Sequence, residues 1–593
     1  MSVMVVVIFA INVLGRHRMV DAFLFSLSVA VGLTPEMLPM IVTINLSRGA
    51  IAMARKKVIV KRLSSIQTLG AMDILCMDKT GTLTLDKVVL ERYCDVTGQE
   101  DTSVLLLAYI NSFYQTGLKN LLDQAILKHS RLPVRKYRKI DELPFDFSRK
   151  LMSVVVEQDG EHLLVTKGAP EEVFKRCTHY ELDSEIEPME PLLIADLQAE
   201  YRALSSQGFR VLAVAYRKLQ KIKMSYSRED ERDLILKGYL AFLDPPKKTA
   251  RRAIELLREL GVNCKVLTGD NELVTRKICR DVGLDGQEPV LGDRLDELTD
   301  EELRSIVETK AVFTRLTPFQ KERIIQVLRQ NGHTVGFLGD GINDAPALHR
   351  SDVGISVDNA VDIAKESADI ILLEKSLLVL EHGVTEGRKI FGNIIKYIKI
   401  GSSSNFGNMF SMTGASLFLP FLPMTPVQIL LNNFLYDVSQ VAIPTDAVDE
   451  EYLRKPRPWN VQAIRRFMVT IGPISSIFDF LTFGILLFVF HADPSLFHTG
   501  WFLESLCTQT LVIHVIRTSR IPFLESRPSR PLLVTSFLIV ATGLVLPFTF
   551  MAKPLGFVPP PGAYFAMLCG ILMAYLLLVH GVKTWFVRRY GLD

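Results

Sequence analysis

Cysteine is sparse in this sequence and has no pattern. The seven cysteines fall at positions 76, 94, 177, 264, 279, 507 and 569, without a C-x-x-C spacing. That argues against a disulfide framework or a zinc site and leaves reduced thiols in a cytosolic portion as the simplest reading. An excess of one charge is also missing: the formal net charge is +3, which gives no sign of a nucleic-acid partner. The apolar start carries neither a basic n-region nor a small-residue cleavage site, so no cleavable signal is read there. What the chain does have is length and apolar bulk. Its 593 residues are too many for one core, and the 48% that are hydrophobic concentrate at the two ends.

The polar middle holds the most informative stretch, Cys76-Met77-Asp78-Lys79-Thr80-Gly81-Thr82-Leu83-Thr84. The short apolar run before it has the character of a buried parallel strand, which would deliver Asp78 to the strand's carboxyl end, where open α/β sheets place their ligand sites. Alone, the motif also fits a capped turn. A second run, His333 to Leu338, ends in Gly339-Asp340-Gly341-Ile342-Asn343-Asp344. Two strands ending in carboxylates, each followed by glycine, suit a magnesium-assisted phosphoryl site, with hard oxygen ligands bridging to substrate phosphate. The pair DKTGTLT and GDGIND resembles the P-type ion-pumping ATPases. The resemblance implies a multi-domain membrane protein: an α-helical transmembrane bundle plus a cytosolic α/β haloacid-dehalogenase-like (Rossmann-like) phosphorylation domain with an inserted α+β nucleotide-binding domain.

In chain order, Ser2 to Gly15 is apolar but short for a span, which takes about 20 residues. Ala22 to Met53 is long enough, yet Pro35 and Pro39 break it around Glu36. Unwound backbone at membrane depth is tolerated where it lines a cavity, and an intramembrane glutamate is a site candidate by default. Arg48, Arg55, Lys56, Lys57, Lys61 and Arg62 mark the cytosolic end. Six further spans are expected near 398–420, 424–446, 467–491, 501–516, 532–552 and 563–585. The basic loops 447–466 and 517–530 and the basic tail then share a side with the polar middle, whereas Arg16 and Arg18 disagree if the first segment spans. The expected domains are 1–54 (two membrane segments), 55–87 with 237–395 (phosphorylation), 88–236 (nucleotide binding) and 396–593 (six helices).

Inside the insertion, Phe145-Asp146-Phe147-Ser148-Arg149-Lys150, Lys167-Gly168-Ala169-Pro170 and Gly208-Phe209-Arg210 offer an aromatic and several cations for a nucleotide, with Gly168 read as a turn. The resemblance assigns cofactor binding to Asp123, Phe147, Arg149, Lys150, Lys167, Gly168, Arg210 and Asp244, with Phe147 stacking on adenine. Thr268-Gly269-Asp270 puts a hydroxyl and backbone N–H groups at a strand-to-helix turn suited to a phosphate oxygen. Lys321 can neutralise a transferring phosphoryl group. The expected catalytic residues are Asp78 (nucleophile), Lys79, Thr80, Thr268, Gly269, Asp270 and Lys321. Catalytic magnesium is expected at Asp78, the Thr80 carbonyl and Asp340, with Asn343 and Asp344 completing the site by ligation or hydrogen bonding. Phosphatases of this fold carry a second aspartate two residues after the nucleophile. Thr80 stands there, so a long-lived aspartyl phosphate is expected, as a pump needs.

For the transported ion, Asn405 and Asn408 share one helix face, Asn433 and Asp437 another. With Glu36 they make a hard-ligand set for magnesium or calcium, not copper or zinc; the serines at 402–404 and Asn432 read as polar glue between helices. VGLTPEMLPMIV, KRLSSIQTLGAMDILCMDKTGTLT, NNFLYDVSQ and RKPRPW followed by RRFM and IGPISSIFD resemble the bacterial magnesium-transporting P-type ATPases across essentially the whole chain. This implies ATP and Mg2+ as cofactors, membrane lipid and transported Mg2+ as partners, and a multi-pass location in the bacterial cytoplasmic (inner) membrane with cytosolic catalytic domains. Members of that family begin with a cytosolic tail, two spans and an actuator bearing Thr-Gly-Glu-Ser, none of which is in this sequence. The expectation is therefore a chain that binds ATP and can load Asp78 but does not turn over alone. It would be a truncated product or one half of a pump completed by a separate N-terminal polypeptide. A calcium pump and a non-transporting regulatory membrane module are the alternatives.

Overall fold

The computed structural model describes residues 2–14, 19–32, 37–85, 87–116, 119–146, 149–219, 223, 225–284 and 288–591. The chain divides into two compact units. One comprises Met1–Asp73, Glu259–Val262 and His382–Asp593; the other comprises Ile74–Arg258 and Asn263–Glu381. Glu36 and Phe147, with Arg16 and Arg18, lie outside the described residues.

The second unit holds two sheets. In the first, parallel strands run in the order Ile370–Leu372, Val353–Val357, Val335–Leu338, Ile74–Met77, Asn263–Leu267, Val312–Thr314 and Val290–Leu291. Every residue of Ile74–Met77 and Val335–Leu338 is buried, the continuous apolar run expected of strands covered on both faces. These strands are in register, Met77 opposite Leu338, so their carboxyl ends emerge together. Asn263–Leu267 flanks Ile74–Met77 on the other side, with Met77 opposite Val266. Asp78, the Gly339–Asp344 loop and Thr268–Asp270 thus leave the same sheet edge.

The second sheet runs Arg138–Asp146, Leu151–Gln158, Glu161–Gly168, Phe209–Leu219, Leu234–Leu243, Cys177–Leu182 and Glu185–Pro188, and Val89–Cys94 pairs antiparallel with Leu234–Leu243. Alternate side chains of one strand serve two cores. Val154 and Val156 pack with Val104, Ala108 and Ile126, whereas Val155 packs with Val173, Leu197 and Leu204. Strand Leu234–Leu243 crosses the expected domain boundary at residue 236 and carries the second sheet to Leu243.

The first unit is helical. Among the described residues, Val461–Val489, Arg530–Phe548 and Gly562–Tyr590 are the segments long and apolar enough to cross a membrane. They coincide with three of the six C-terminal spans expected. The others are present as helices, but of different character. Pro426–Gln440 has 15 residues and gives way to the short turn Ile443–Thr445, where Pro444 removes a backbone donor. Leu377–Phe418 is a single helix of 42 residues whose later half carries Ser402, Ser403, Ser404, Asn405 and Asn408. Pro494–Ile516 buries Glu504, Gln509 and His514. Ser2–Leu14, with 13 residues, is short for a span.

Candidate functional site

Asp78 is placed by its strand: its N–H donates to Leu338 O at 3.2 Å, and its Oδ1 accepts the Lys79 N–H at 2.8 Å. Lys321 reaches it from a separate helix, Pro318–Gln330. Thr317 and Gln320 cap that helix reciprocally and Pro318 occupies its first turn, so the chain enters with Lys321 one turn in. Lys321 Nζ lies 3.3 Å from Asp78 Oδ2 and 2.9 Å from Asp344 Oδ1, with its side chain 4% exposed. Both carboxylates hold the Lys321 ammonium above its ordinary range despite burial, which works the other way.

Asp344 anchors its own loop. Its Oδ2 accepts the N–H groups of Asp340 (3.3 Å) and Gly341 (3.2 Å) while Oδ1 faces Lys321. Gly339 makes this fold-back possible, since a Cβ there would stand 2.6 Å from the Asp344 Cβ. Asp344 therefore enters the site by hydrogen bonding. Asn343 is exposed in the short turn Ile342–Asp344. Asp340 pairs with Lys375, and Lys247 Nζ ties Lys375 O (2.7 Å) to Gly81 O (2.5 Å).

On the other side of Asp78, buried Lys79 places Nζ 2.7 Å from Asp270 Oδ2 and 3.4 Å from Asp244 Oδ2. Thr80 Oγ1 donates to Asp270 Oδ2 at 3.1 Å, and Thr268 Oγ1 accepts the Asp270 N–H at 3.2 Å. Asp244, expected with the nucleotide group, sits here beside Lys79. Burial raises the Asp78 carboxyl to about 6, with Asp344 and Asp270 adding to the rise against Lys321 and the Lys79 N–H. Asp270 goes the other way: burial would raise it, but Lys79, Arg210 and the hydrogen bonds from Lys79 and Thr80 bring it to about 2. Burial lifts Asp244 against the pull of Lys79. Burial and neighbouring carboxylates thus push the Asp78 carboxyl up, while the cations around Asp270 hold its carboxyl down.

The donor set fits magnesium, which takes one or two carboxylates and fills its octahedral shell with waters and substrate phosphate. Asp78 and Asp340 supply those two at adjacent strand ends. The described residues contain no group of three or more His, Cys, Asp or Glu arranged around a metal.

In the second sheet, two of the four cations read from the sequence, Lys167 and Arg149, are held in ion pairs. Lys167, 4% exposed, pairs with fully buried Asp123 and donates to Ser112 Oγ at 2.5 Å. Arg149 pairs with Glu231 and donates to Pro144 O at 2.7 Å. Glu231, which the sequence reading missed, also accepts from Ser153 Oγ at 2.7 Å, and Arg228 approaches Asp146 at 2.9 Å. Leu143–Asp146, Arg149 and Arg228 line an open cavity. Gly168 is not in a turn. It ends strand Glu161–Gly168 opposite Leu151, where a Cβ would lie 2.4 Å from Lys150 O. Lys150 has φ 52° and donates its N–H to Asp146 O at 2.7 Å, and Arg210 is exposed.

In the helical unit, Asn408, Asn432, Asn433, Trp501 and Ser505 share a small cavity with Val29, Met412, Met424 and Ile429. Asn405 and Asp437 are half-buried and do not line it. Asn432, read as glue, has a buried Oδ1 without a hydrogen-bond partner. Ser402 and Ser403 bond back to their own helix, on Ile398 O (2.5 Å) and Lys399 O (2.7 Å).

The profile of the P-type ATPase cytoplasmic domain N matches residues 92–249, and that of the cation-transporting ATPase C-terminus matches residues 421–585. The chain is 52% identical to the magnesium-transporting ATPase, P-type 1, of Escherichia coli (strain K12), over 100% of this chain and 67% of the relative. A protein of the same name from Salmonella typhimurium (strain LT2) is 51% identical over 100% of this chain and 66% of its own length. The calcium-transporting ATPase 1 of Lactococcus lactis subsp. lactis is 32% identical over 75% of this chain and 54% of its own length. The chain thus spans about two thirds of the magnesium-named relatives.

Proposed function

Because the chain belongs to the P-type cation-transporting ATPases, we propose that it drives magnesium import across a bacterial membrane through phosphorylation of Asp78 by ATP. The observation that carries this reading is the lysine-bracketed carboxylate: Asp78 at a strand end, with Lys321 Nζ 3.3 Å from its Oδ2 and Lys79 turned away onto Asp270. A carboxylate oxygen of Asp78 attacks the γ-phosphorus, the bond to the bridging oxygen breaks, and ADP leaves. Lys321 faces the oxygens where charge develops. The Thr268–Asp270 turn offers a hydroxyl and N–H groups to the transferred phosphoryl group. Asp340 and Asp78 would hold magnesium, whose chemistry there is to neutralise the phosphoryl oxygens. Thr80 bonds to Asp270 and offers no carboxyl to activate water, which favours a durable phosphoenzyme.

The identity of the ion rests on the relatives: 52% identity with a magnesium-named protein against 32% with a calcium-named one. In the same reading, Asn405, Asn408, Asn433, Asp437 and Glu36 carry the ion through a bundle of six C-terminal and two N-terminal membrane segments. Arg149, Lys150, Lys167 and Arg210, with Phe147, receive the nucleotide. Hydrolysis of the phosphoenzyme requires an actuator-type glutamate in the same or a separate polypeptide. The test is uptake of labelled magnesium by right-side-out vesicles loaded with ATP, so that the nucleotide meets the cytosolic face. Uptake sensitive to vanadate and lost in Asp78→Asn supports the reading; uptake that persists in Asp78→Asn refutes it.

A further inference from the structure

A buried amide oxygen without a partner is costly, so such groups in a folded chain call for an explanation. Asn432 is 4% exposed, and its Oδ1 has no donor, yet it lines the cavity shared with Asn408 and Ser505. The opposite wall is organised by one side chain. Gln509 Nε2 donates to Asn408 Oδ1 at 3.2 Å and to Ser505 Oγ at 2.6 Å. Ser505 and Gln509 are one turn apart on Pro494–Ile516, and Asn408 comes from Leu377–Phe418. Both Gln509 N–H groups are thereby used to fix which Asn408 atom is oxygen and how Ser505 is turned, and each acceptor keeps a free lone pair. Three neutral hard oxygens, from Asn408, Asn432 and Ser505, border the same space. Among the described residues that line it, none carries a carboxylate.

We infer that Asn432 Oδ1 is a direct ligand of the transported divalent cation and that Gln509 is the positioning residue that aims Asn408 and Ser505 at it. The inference deepens the transport reading above and rests on it. It moves the centre of the site toward Asn432, which is more buried than its neighbour Asn433, and adds helix Pro494–Ile516 to the elements that hold the ion. Hard neutral oxygens suit a small divalent cation that retains part of its water shell.

Trp501 lines this cavity and is one of only three tryptophans, so its emission reports on the space directly. The experiment uses the full chain in detergent with Trp459→Phe and Trp585→Phe, titrated with Mn2+ as a quenching stand-in for Mg2+, without nucleotide. Saturable quenching is expected in this parent. Asn432→Leu should raise the half-quenching concentration at least about tenfold, and Gln509→Leu by about 10–100-fold, the usual cost of losing a group that orients a ligand. Asn432→Asp, which keeps an oxygen in place, should stay within about threefold of the parent. Fluorescent-ATP binding equal to the parent's shows that each variant is folded. Absence of saturable quenching in the parent, or a parent-like titration for Asn432→Leu, overturns the inference. So does a shift in Asn432→Asp as large as in Asn432→Leu. Failure of the transport reading shows up separately, as a parent that leaves no phosphoenzyme with ATP.

Discussion

Lys321 Nζ lies 2.9 Å from Asp344 Oδ1 and 3.3 Å from Asp78 Oδ2, so one buried ammonium bridges the loop anchor and the carboxylate proposed as nucleophile. The arrangement holds a cation where phosphoryl charge will develop before any substrate arrives, and such preorganisation is worth more than a cation recruited from solvent. Lys321→Met should slow phosphoenzyme formation by about 10²–10³-fold, the scale for losing one such group, while leaving fluorescent-ATP binding intact. Rapid quench with labelled ATP measures the first and titration the second. Equal loss of binding and phosphorylation would contradict this role.

Glu231 should matter for nucleotide affinity without touching the nucleotide. It holds Arg149 and Ser153, and Arg149 in turn clasps the Pro144 carbonyl. Glu231→Ala removes the buried partner of Arg149 and leaves it only the longer contact to Asp146 at 3.4 Å, so its hold on the Pro144 carbonyl loosens. A several-fold rise in KM for ATP with little change in kcat is expected. Glu231→Gln, which retains a hydrogen-bond acceptor, should fall in between.

Lys167 and Asp123 form a pair that cannot be broken from one side. Asp123 is fully buried and its Oδ2 has no other partner. Lys167→Met should therefore destabilise the second sheet by about 3–5 kcal/mol, as removal of one member of a buried ion pair does. The double variant Lys167→Met with Asp123→Leu should regain most of that. Local unfolding followed by hydrogen exchange on strand Glu161–Gly168 distinguishes the two.

Asp101 gives a pH signature. It caps helix Thr102–Tyr114 through the Ser103 N–H at 2.8 Å and faces Lys237 at 3.1 Å. Burial would raise its carboxyl, but the Ser103 hydrogen bonds and Lys237 outweigh that and hold it below the ordinary carboxylate range. A folded-state value below the unfolded one means stability that is fully present above about pH 4. It is lost as the pH falls through the lowered value. Protection of the first-turn amides in this helix should thus drop more steeply with acid in the native chain than in Asp101→Asn. Parallel acid profiles would contradict it.

What the sequence made legible was local. Four apolar residues followed by DKTG are enough to predict the strand that carries Asp78, and Thr317-Pro318 with Gln320 announces the helix that carries Lys321. Val461–Val489, Arg530–Phe548 and Gly562–Tyr590 each carry a long apolar window, so their spans could be read directly. What resisted reading were partnerships across sequence distance: Arg149 with Glu231, 82 residues on, Lys167 with Asp123, 44 back, and Asp340 with Lys375, 35 on. A surface-cation reading of Arg149 and Lys167 follows naturally when their carboxylates are invisible. Helical spacing gives the face that Asn432 shares, not whether its oxygen finds a donor, so its unpartnered Oδ1 was not legible. Gly168 looked like a turn residue because glycine serves turns and close backbone approaches equally well.

The most direct measurement is to expose the folded chain to γ-labelled ATP with magnesium, quench in acid, and map the label. The account predicts one acid-stable, hydroxylamine-labile phosphoryl group per chain, on the peptide containing Asp78, absent from Asp78→Asn and slowed in Lys321→Met. Label on another residue, or equal labelling of Asp78→Asn, would contradict it.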